Sequence, residues 1–287
     1  MALKILTRKD VDKVLDALDL QAAVDSQAAV FEAYSGPKTT DGKMAAVDRK
    51  TAIKIVSVPT SGGDGLPGTT LIMDELLGNG KPTNIVLFGS GAQAEAHARM
   101  FLGLYPSITK CTVVNRRPTE RAAHLVDALV KAFPKVEVCL GITSENDFKL
   151  SETVKDADII CTMTSSTQAL FASKDVKPGA HMCLIGSYKK HMREVEDDLV
   201  KRAGIVLVDS KEACEAEAGE LHNLTEDQMV EIGKIVKDKS KADPIKQAGD
   251  VTMFKSVGLG VQDVAIAQTV LDQAEKLGLG SVIEDYD

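Results

Sequence analysis

The chain has 287 residues, 44% hydrophobic and 26% charged, with 34 basic against 42 acidic side chains and a net charge of −8. This balance excludes a disordered chain, a collagen-like repeat and a disulfide mini-protein, and the length suits two medium domains. An acidic chain with no concentrated basic stripe is not built for nucleic acid or an anionic membrane surface.

No apolar run approaches the roughly 18 residues of a membrane-spanning helix. The charged opening MALKILTRKD lacks the apolar centre of a secretory leader. The five cysteines (Cys111, Cys139, Cys161, Cys183 and Cys214) are odd in number and form no CxxC; four lie in apolar runs. That usage predicts a reducing, cytoplasmic compartment and no disulfide framework.

Residues 4–35 read as helices, with Leu15, Leu18, Leu20, Val24, Val30 and Phe31 at mixed three- and four-residue spacings. Residues 35–42 are turn chemistry, and residues 52–58 read as a strand with Lys54 inside it. A glycine-rich turn at 61–65 and a strand at 69–73 follow. From Asn84 onward, apolar strand-like runs at 85–88, 112–114, 136–140, 159–163, 182–185 and 205–208 alternate with helical windows. One such window shows Ala122, Leu125, Leu129 and Ala132 on a single face. Near-continuous apolar strands separated by helices predict a parallel sheet covered on both faces. After Ser210 the chain reads as mostly helical. It closes in a helix over 263–277 with Val264, Ala267, Val270 or Leu271, and Ala274 on one side.

The most informative segment is Asn84 to Ala94: a strand, then Gly89-Ser90-Gly91-Ala92-Gln93-Ala94, then a helical pattern. Gly89 permits the tight turn, Gly91 lets the backbone approach a pyrophosphate, and Ala94 is small enough for helix–strand packing. Free amides at the helix start then face the phosphates. Where an acid would pair with the ribose 2′-hydroxyl of NAD, this chain has Asn115-Arg116-Arg117. Two guanidiniums there suit a 2′-phosphate, so NADP(H) is preferred and NAD(H) remains possible; the bland alternative is a solvated loop.

The fourth run ends in hydroxyls, Thr162-Met163-Thr164-Ser165-Ser166-Thr167, at the carboxyl edge of the sheet. They read either as nicotinamide contacts or as a polar loop. Tyr188, past the fifth run, reads equally as a proton donor or as a half-buried aromatic. Lys54 reads as a carboxylate ligand or, on periodicity alone, as an outward-facing strand lysine. The five histidines carry no metal spacing, so no metal is expected.

Taken in order, several segments resemble the ornithine cyclodeaminase / mu-crystallin family, with the version here most similar to fungal members. They are Lys54-Ile55-Val56-Ser57, Gly65-Leu66-Pro67, Gly89-Ser90-Gly91-Ala92-Gln93, Ala157-Asp158-Ile159-Ile160, Asp209-Ser210, Glu217-Ala218-Gly219-Glu220-Leu221 and Phe254-Lys255-Ser256-Val257-Gly258. The resemblance implies an α/β fold. A Rossmann-type parallel-sheet domain over 80–251 would join a smaller, truncated α+β substrate and dimerisation domain built from both chain ends, 1–79 and 252–287. It also implies a small amino- or imino-acid substrate, a homodimer, and hydride transfer at a carbon bearing nitrogen. By resemblance Lys54 takes the substrate carboxylate, Ala92 and Gln93 the pyrophosphate turn, and Asn115 the ribose. Thr164 is then a cofactor contact, and Ser256 and Val257 flank nicotinamide and substrate.

Three departures bear on activity. Tyr188 stands where cyclodeaminases carry an aspartate, which argues against ammonia loss and for simple imine reduction. The L-T-x-x-R-T-x-A motif, whose arginine binds the substrate carboxylate, is missing between 73 and 84. Upstream of Lys54 only Arg49 offers a second anchor. The expected activity is reduction of a small cyclic imine, ketimine or imino acid. The alternatives are an ornithine cyclodeaminase and a catalytically silent homologue that binds NADP(H) or another small ligand.

Overall fold

A computed structural model describes residues 3–35 and 80–283. Lys54, Arg49, the strands expected at 52–58 and 69–73, and the connector up to residue 79 lie outside the described residues.

The first described element is a strand where the sequence pattern suggested helix: β1 (Leu3–Ile5) pairs antiparallel with β10 (Ser281–Ile283), so the two chain ends meet. A partner nearly the whole chain away leaves no local trace. Helix α1 (Arg8–Ala17) starts at Thr7, whose hydroxyl accepts from the Asp10 amide while Asp10 accepts from the Thr7 amide. Its buried residue is Val14; Leu15 is 40% exposed. Helix α2 (Leu20–Tyr34) buries Ala23, Val24, Gln27 and Phe31.

The parallel sheet follows: β2 (Asn84–Phe88), α3 (Ala92–Leu104), β3 (Lys110–Asn115), α4 (Glu120–Ala132), β4 (Glu137–Ile142), α5 (Leu150–Asp156), β5 (Ile159–Thr162) and β6 (His181–Leu184). Then come α6 (Asp197–Ala203), β7 (Val206–Val208), α7 (Lys211–Glu217), β8 (Met229–Glu231), α8 (Ile232–Lys237), α9 (Ala242–Gln247), β9 (Thr252–Lys255) and α10 (Gly260–Lys276). The eight strands order as β4-β3-β2-β5-β6-β9-β7-β8, every pair parallel. All five residues of β2 are buried. Ile85 and Leu87 enter one core and Val86 and Phe88 the other, as expected of a strand covered on both faces.

Two strands of this eight-stranded sheet escaped the sequence pattern. β8 and β9 fall in the region read as mostly helical. β9, which the division at residue 252 assigns to the second segment, lies inside the sheet between β6 and β7. Each is only three or four residues long, too short to show a period. The closing helix buries Ile266 and Ala274, while Val264 is 53% exposed, so its inner face is turned from the one periodicity selected. On α4, Ala122, Leu125 and Leu129 are buried and Ala132 is exposed. Helix α2 seats against α8: a Cβ on Gly233 would run into the Phe31 carbonyl, so only glycine allows this approach. Among the described residues no helix is long and apolar enough to cross a membrane.

Candidate functional site

Strand order reverses at β2. β3 lies to one side of it and β5 to the other, and the chain leaves both through loops that cannot fill the gap at their carboxyl ends. A cleft of about 1170 Å³ opens there. The turn after β2 forms its base. The Gly89 amide donates to the Val114 carbonyl at 2.9 Å, and Gly89 has φ +111°. A Cβ at Gly89 would sit 2.7 Å from the Met163 carbonyl oxygen, so the turn requires glycine twice over. Gly91 precedes the first residue of α3 and provides no side-chain cap, which leaves the first-turn amides open to an anion. Ala94 is fully buried under the helix.

At the end of β3, Asn115 Nδ2 donates to Ser90 Oγ at 3.1 Å and Thr119 Oγ1 at 3.3 Å, joining the turns after β2 and β3. Arg116 and Arg117 line the cleft beside it. Arg121, in the first turn of α4, joins them and was not singled out from the sequence. None of the three makes an ion pair or side-chain hydrogen bond among the described residues.

Thr164, Gly186, Tyr188, Ser256 and Val257 form the other end of the cleft, reached by β5, β6 and β9. Helices α2 and α10 supply a side wall. Gln262 Nε2 donates to Gln27 Oε1 at 3.3 Å, and Gln262 Oε1 accepts from the Leu259 amide. Gln27 was not singled out either; its one signal was a polar residue on the apolar stripe of Val24 and Phe31. Gly89, Gly91, Gln93, Asn115, Arg116, Arg117, Thr164, Tyr188, Ser256 and Val257 thus share one cleft. Ala92 opens α3 without lining it, and Lys54 lies outside the described residues.

Residues 75–278 match the profile of the ornithine cyclodeaminase/mu-crystallin family, more than half of the 287-residue chain. The chain belongs to this family. It is 34% identical to Protein SAR DEFICIENT 4 of Arabidopsis thaliana over 65% of this chain and 57% of that one. It is 31% identical to the ketimine reductase mu-crystallin of Rattus norvegicus over 66% of this chain and 54% of that protein. The chain therefore spans a little over half the length of these curated relatives. Its fold follows that of the iminosuccinate reductase of Paracoccus denitrificans, solved with NAD+, with a TM-score of 0.75 over 99% of this chain and 100% of that one at 18% identity. The profile begins after Lys54, so that lysine is not among the matched residues.

In this ornithine cyclodeaminase/mu-crystallin family member, a layer of buried charge lies beneath the cleft. Thr164 Oγ1 and Ser256 Oγ, both expected at the cofactor, donate inward: Thr164 to Glu194 Oε1 at 2.7 Å and Ser256 to Asp209 Oδ2 at 2.7 Å. Their hydroxyl protons are therefore committed to the protein. Asp209 Oδ2 also accepts the amides of Val257 at 2.9 Å and Gly258 at 2.8 Å, holding that loop on the end of β9. Below Ser187, Lys255 Nζ donates to Ser187 Oγ at 2.9 Å and lies 3.6 Å from Glu220 Oε1, with both charged side chains 0% exposed. The Ser187 hydroxyl also donates to Glu220 Oε2. Burial pushes the Glu194 carboxyl up, against the pull of Lys255 and its own donors. Tyr188, 49% exposed, carries Lys189 Nζ at 5.4 Å from its ring centroid.

His97 lines the cleft from α3, and its Nδ1 donates to the Gln93 carbonyl at 2.7 Å. Burial pushes its pKa down from 6.5 to about 4. The ring is neutral when folded, whereas the unfolded chain takes up a proton below pH 6.5. Stability from this residue is therefore complete above pH 6.5 and is lost as pH falls toward about 4. Relative to His97→Gln, the wild-type chain should lose on the order of 3 kcal/mol across that window. Urea unfolding of both proteins at stepped pH measures it; a constant difference would refute the neutral buried ring.

Proposed function

We propose that this chain is an NADP(H)-dependent reductase of a small cyclic imine, ketimine or imino acid. The observation that carries the reading is the composition of the one cleft. It gathers a glycine turn, an uncapped helix start, three arginines in place of a carboxylate, and the loop ends where a reacting carbon would lie. These residues fit a dinucleotide. Gly89, Gly91 and the first amides of α3, with Ala92 and Gln93, take the pyrophosphate. Asn115 takes the ribose, and Arg116 and Arg117 grip a 2′-phosphate, with NAD(H) the weaker ligand.

Bound nicotinamide supplies a hydride for the carbon of the C=N bond. Thr164 and Ser256 flank it without donating to it, because their hydroxyl and amide hydrogens are already engaged within the protein. Val257 borders the substrate, Lys54 holds its carboxylate, and Tyr188 stands at the cleft mouth as a proton donor. The family relation supports a homodimer.

A second reading is binding without turnover. The missing L-T-x-x-R-T-x-A arginine favours it, because less binding energy is left to place the reacting carbon. Cyclodeamination is disfavoured by Tyr188, and ammonia release from ornithine would reveal it.

Titration with NADPH and then NADH, followed by nicotinamide fluorescence, tests the cofactor; the chain has no tryptophan to interfere. A screen of cyclic imines follows. Tight NADPH binding with NADPH oxidation on a cyclic imino acid is expected. Tight binding without turnover of any imine leaves the silent reading. Failure to bind either nucleotide overturns the reductase reading and leaves a non-catalytic one. In an active protein, Lys54→Ala should lower kcat/KM for a carboxylate-bearing imine about thirtyfold. Unchanged turnover would remove Lys54 from the site.

A further inference from the structure

We infer that Glu194 is a positioning residue that fixes the nicotinamide end of the cleft, an inference that rests on the cofactor reading above. Its carboxylate is 0% exposed and collects four donors. Oε1 accepts from the Thr164 amide at 2.7 Å and from Thr164 Oγ1 at 2.7 Å. Oε2 accepts from Thr162 Oγ1 at 2.8 Å and from the Gly186 amide at 2.8 Å. Thr162 ends β5 and Thr164 lies two residues past it, while Gly186 lies two residues past the end of β6. Thr164 and Gly186 both line the cleft.

The carboxylate takes over where the sheet stops. The last ladder bonds run from the Met163 amide to the Phe88 carbonyl and from the Ile185 amide to the Thr162 carbonyl, both 2.9 Å, and the Gly186 amide reaches the same Thr162 carbonyl at 3.1 Å. Beyond them the strands diverge to open the crevice: the Thr164 amide turns to Glu194 for its acceptor, and the Gly186 amide is shared between Glu194 and the Thr162 carbonyl. The Thr164 and Gly186 amides aim at this carboxyl in either protonation state, and as a carboxylate it accepts from both threonine hydroxyls as well, whereas a glutamine turns its own two donor hydrogens toward one of these pairs. The packing leaves no slack. A Cβ at Gly186 would lie 2.5 Å from Glu194 Oε1 and run into the Thr164 backbone. Two strand ends and one carboxylate therefore interlock, and the spacing of Thr164 and Gly186 is set from below rather than by whatever occupies the cleft.

The adenosine half of a dinucleotide would meet the other end, formed by the turns after β2 and β3, where Glu194 makes no contact. Calorimetric titration of wild type and Glu194→Gln with NADPH and with 2′,5′-ADP separates the two ends. Glu194→Gln should bind NADPH about tenfold more weakly while its 2′,5′-ADP affinity stays within about twofold. Unchanged NADPH affinity in a wild type that binds NADPH would overturn the positioning role alone. Equal losses for both ligands would overturn it too, since they mean general loosening. If the wild type binds no NADPH, the cofactor reading fails and this inference fails with it. Should Glu194→Gln not fold, Thr164→Val removes one of the four donors and keeps the backbone amide. It should weaken NADPH about threefold and spare 2′,5′-ADP, and equal affinity for both ligands in Thr164→Val and wild type would overturn the role.

Discussion

Arg116→Ala/Arg117→Ala should weaken NADPH binding about a hundredfold while NADH binding stays within about twofold. The guanidiniums line the cleft beside Asn115 and face no carboxylate among the described residues, so a ligand phosphate would be their first partner. Charge-assisted bonds to a phosphate contribute about 1.5 kcal/mol each at an exposed site, and two of them amount to about a hundredfold in affinity. NADH lacks the 2′-phosphate and loses nothing specific. Titration of nicotinamide fluorescence reads both constants, and equal losses for the two nucleotides would sink the 2′-phosphate assignment. Arg121 at the same end would hold part of the NADPH affinity in the double variant, so the triple variant should fall further.

The second large effect concerns stability. Lys255→Ala should cost about 3–5 kcal/mol, because it leaves Glu220 fully buried with its cation gone. The Ser187 hydroxyl alone cannot solvate that charge. Lys255→Met combined with Glu220→Gln removes both charges at similar volume and should recover most of the loss. Urea unfolding at neutral pH measures each variant. A loss below about 1 kcal/mol for Lys255→Ala would show that the pair is solvated in solution. Binding should suffer as well, since Lys255 precedes Ser256 and Ser187 precedes Tyr188 along the cleft.

The glycine turn was legible because its requirements are local. A strand, two glycines, a small residue and the start of a helix occupy eleven consecutive positions, and each is needed by geometry within that span. Asn115-Arg116-Arg117 was legible for the same reason, since it follows directly on a strand. Glu194 was not. Its partners, Thr162, Thr164 and Gly186, stand eight to thirty-two residues away, and nothing in Arg193-Glu194-Val195-Glu196 separates an inward carboxylate from an outward one. Lys255 stands out only within a family segment, and Glu220 reads, with Glu212, Glu215 and Glu217, as part of a mostly solvated helical face, whereas its side chain is fully buried. Their burial follows from β9 entering the sheet between β6 and β7, a strand too short to announce itself.

By itself, then, the sequence determined the class of the fold, the glycine turn at the end of β2 and the basic end of the cleft, since each is written in neighbouring residues whose backbone or charge must act together. Only the tertiary structure decided which polar groups face the ligand and which support them. Thr164 and Ser256 carry hydroxyls suited to either task. Their protons turn inward because Glu194 and Asp209, buried by folding, need donors more than a solvated cleft does.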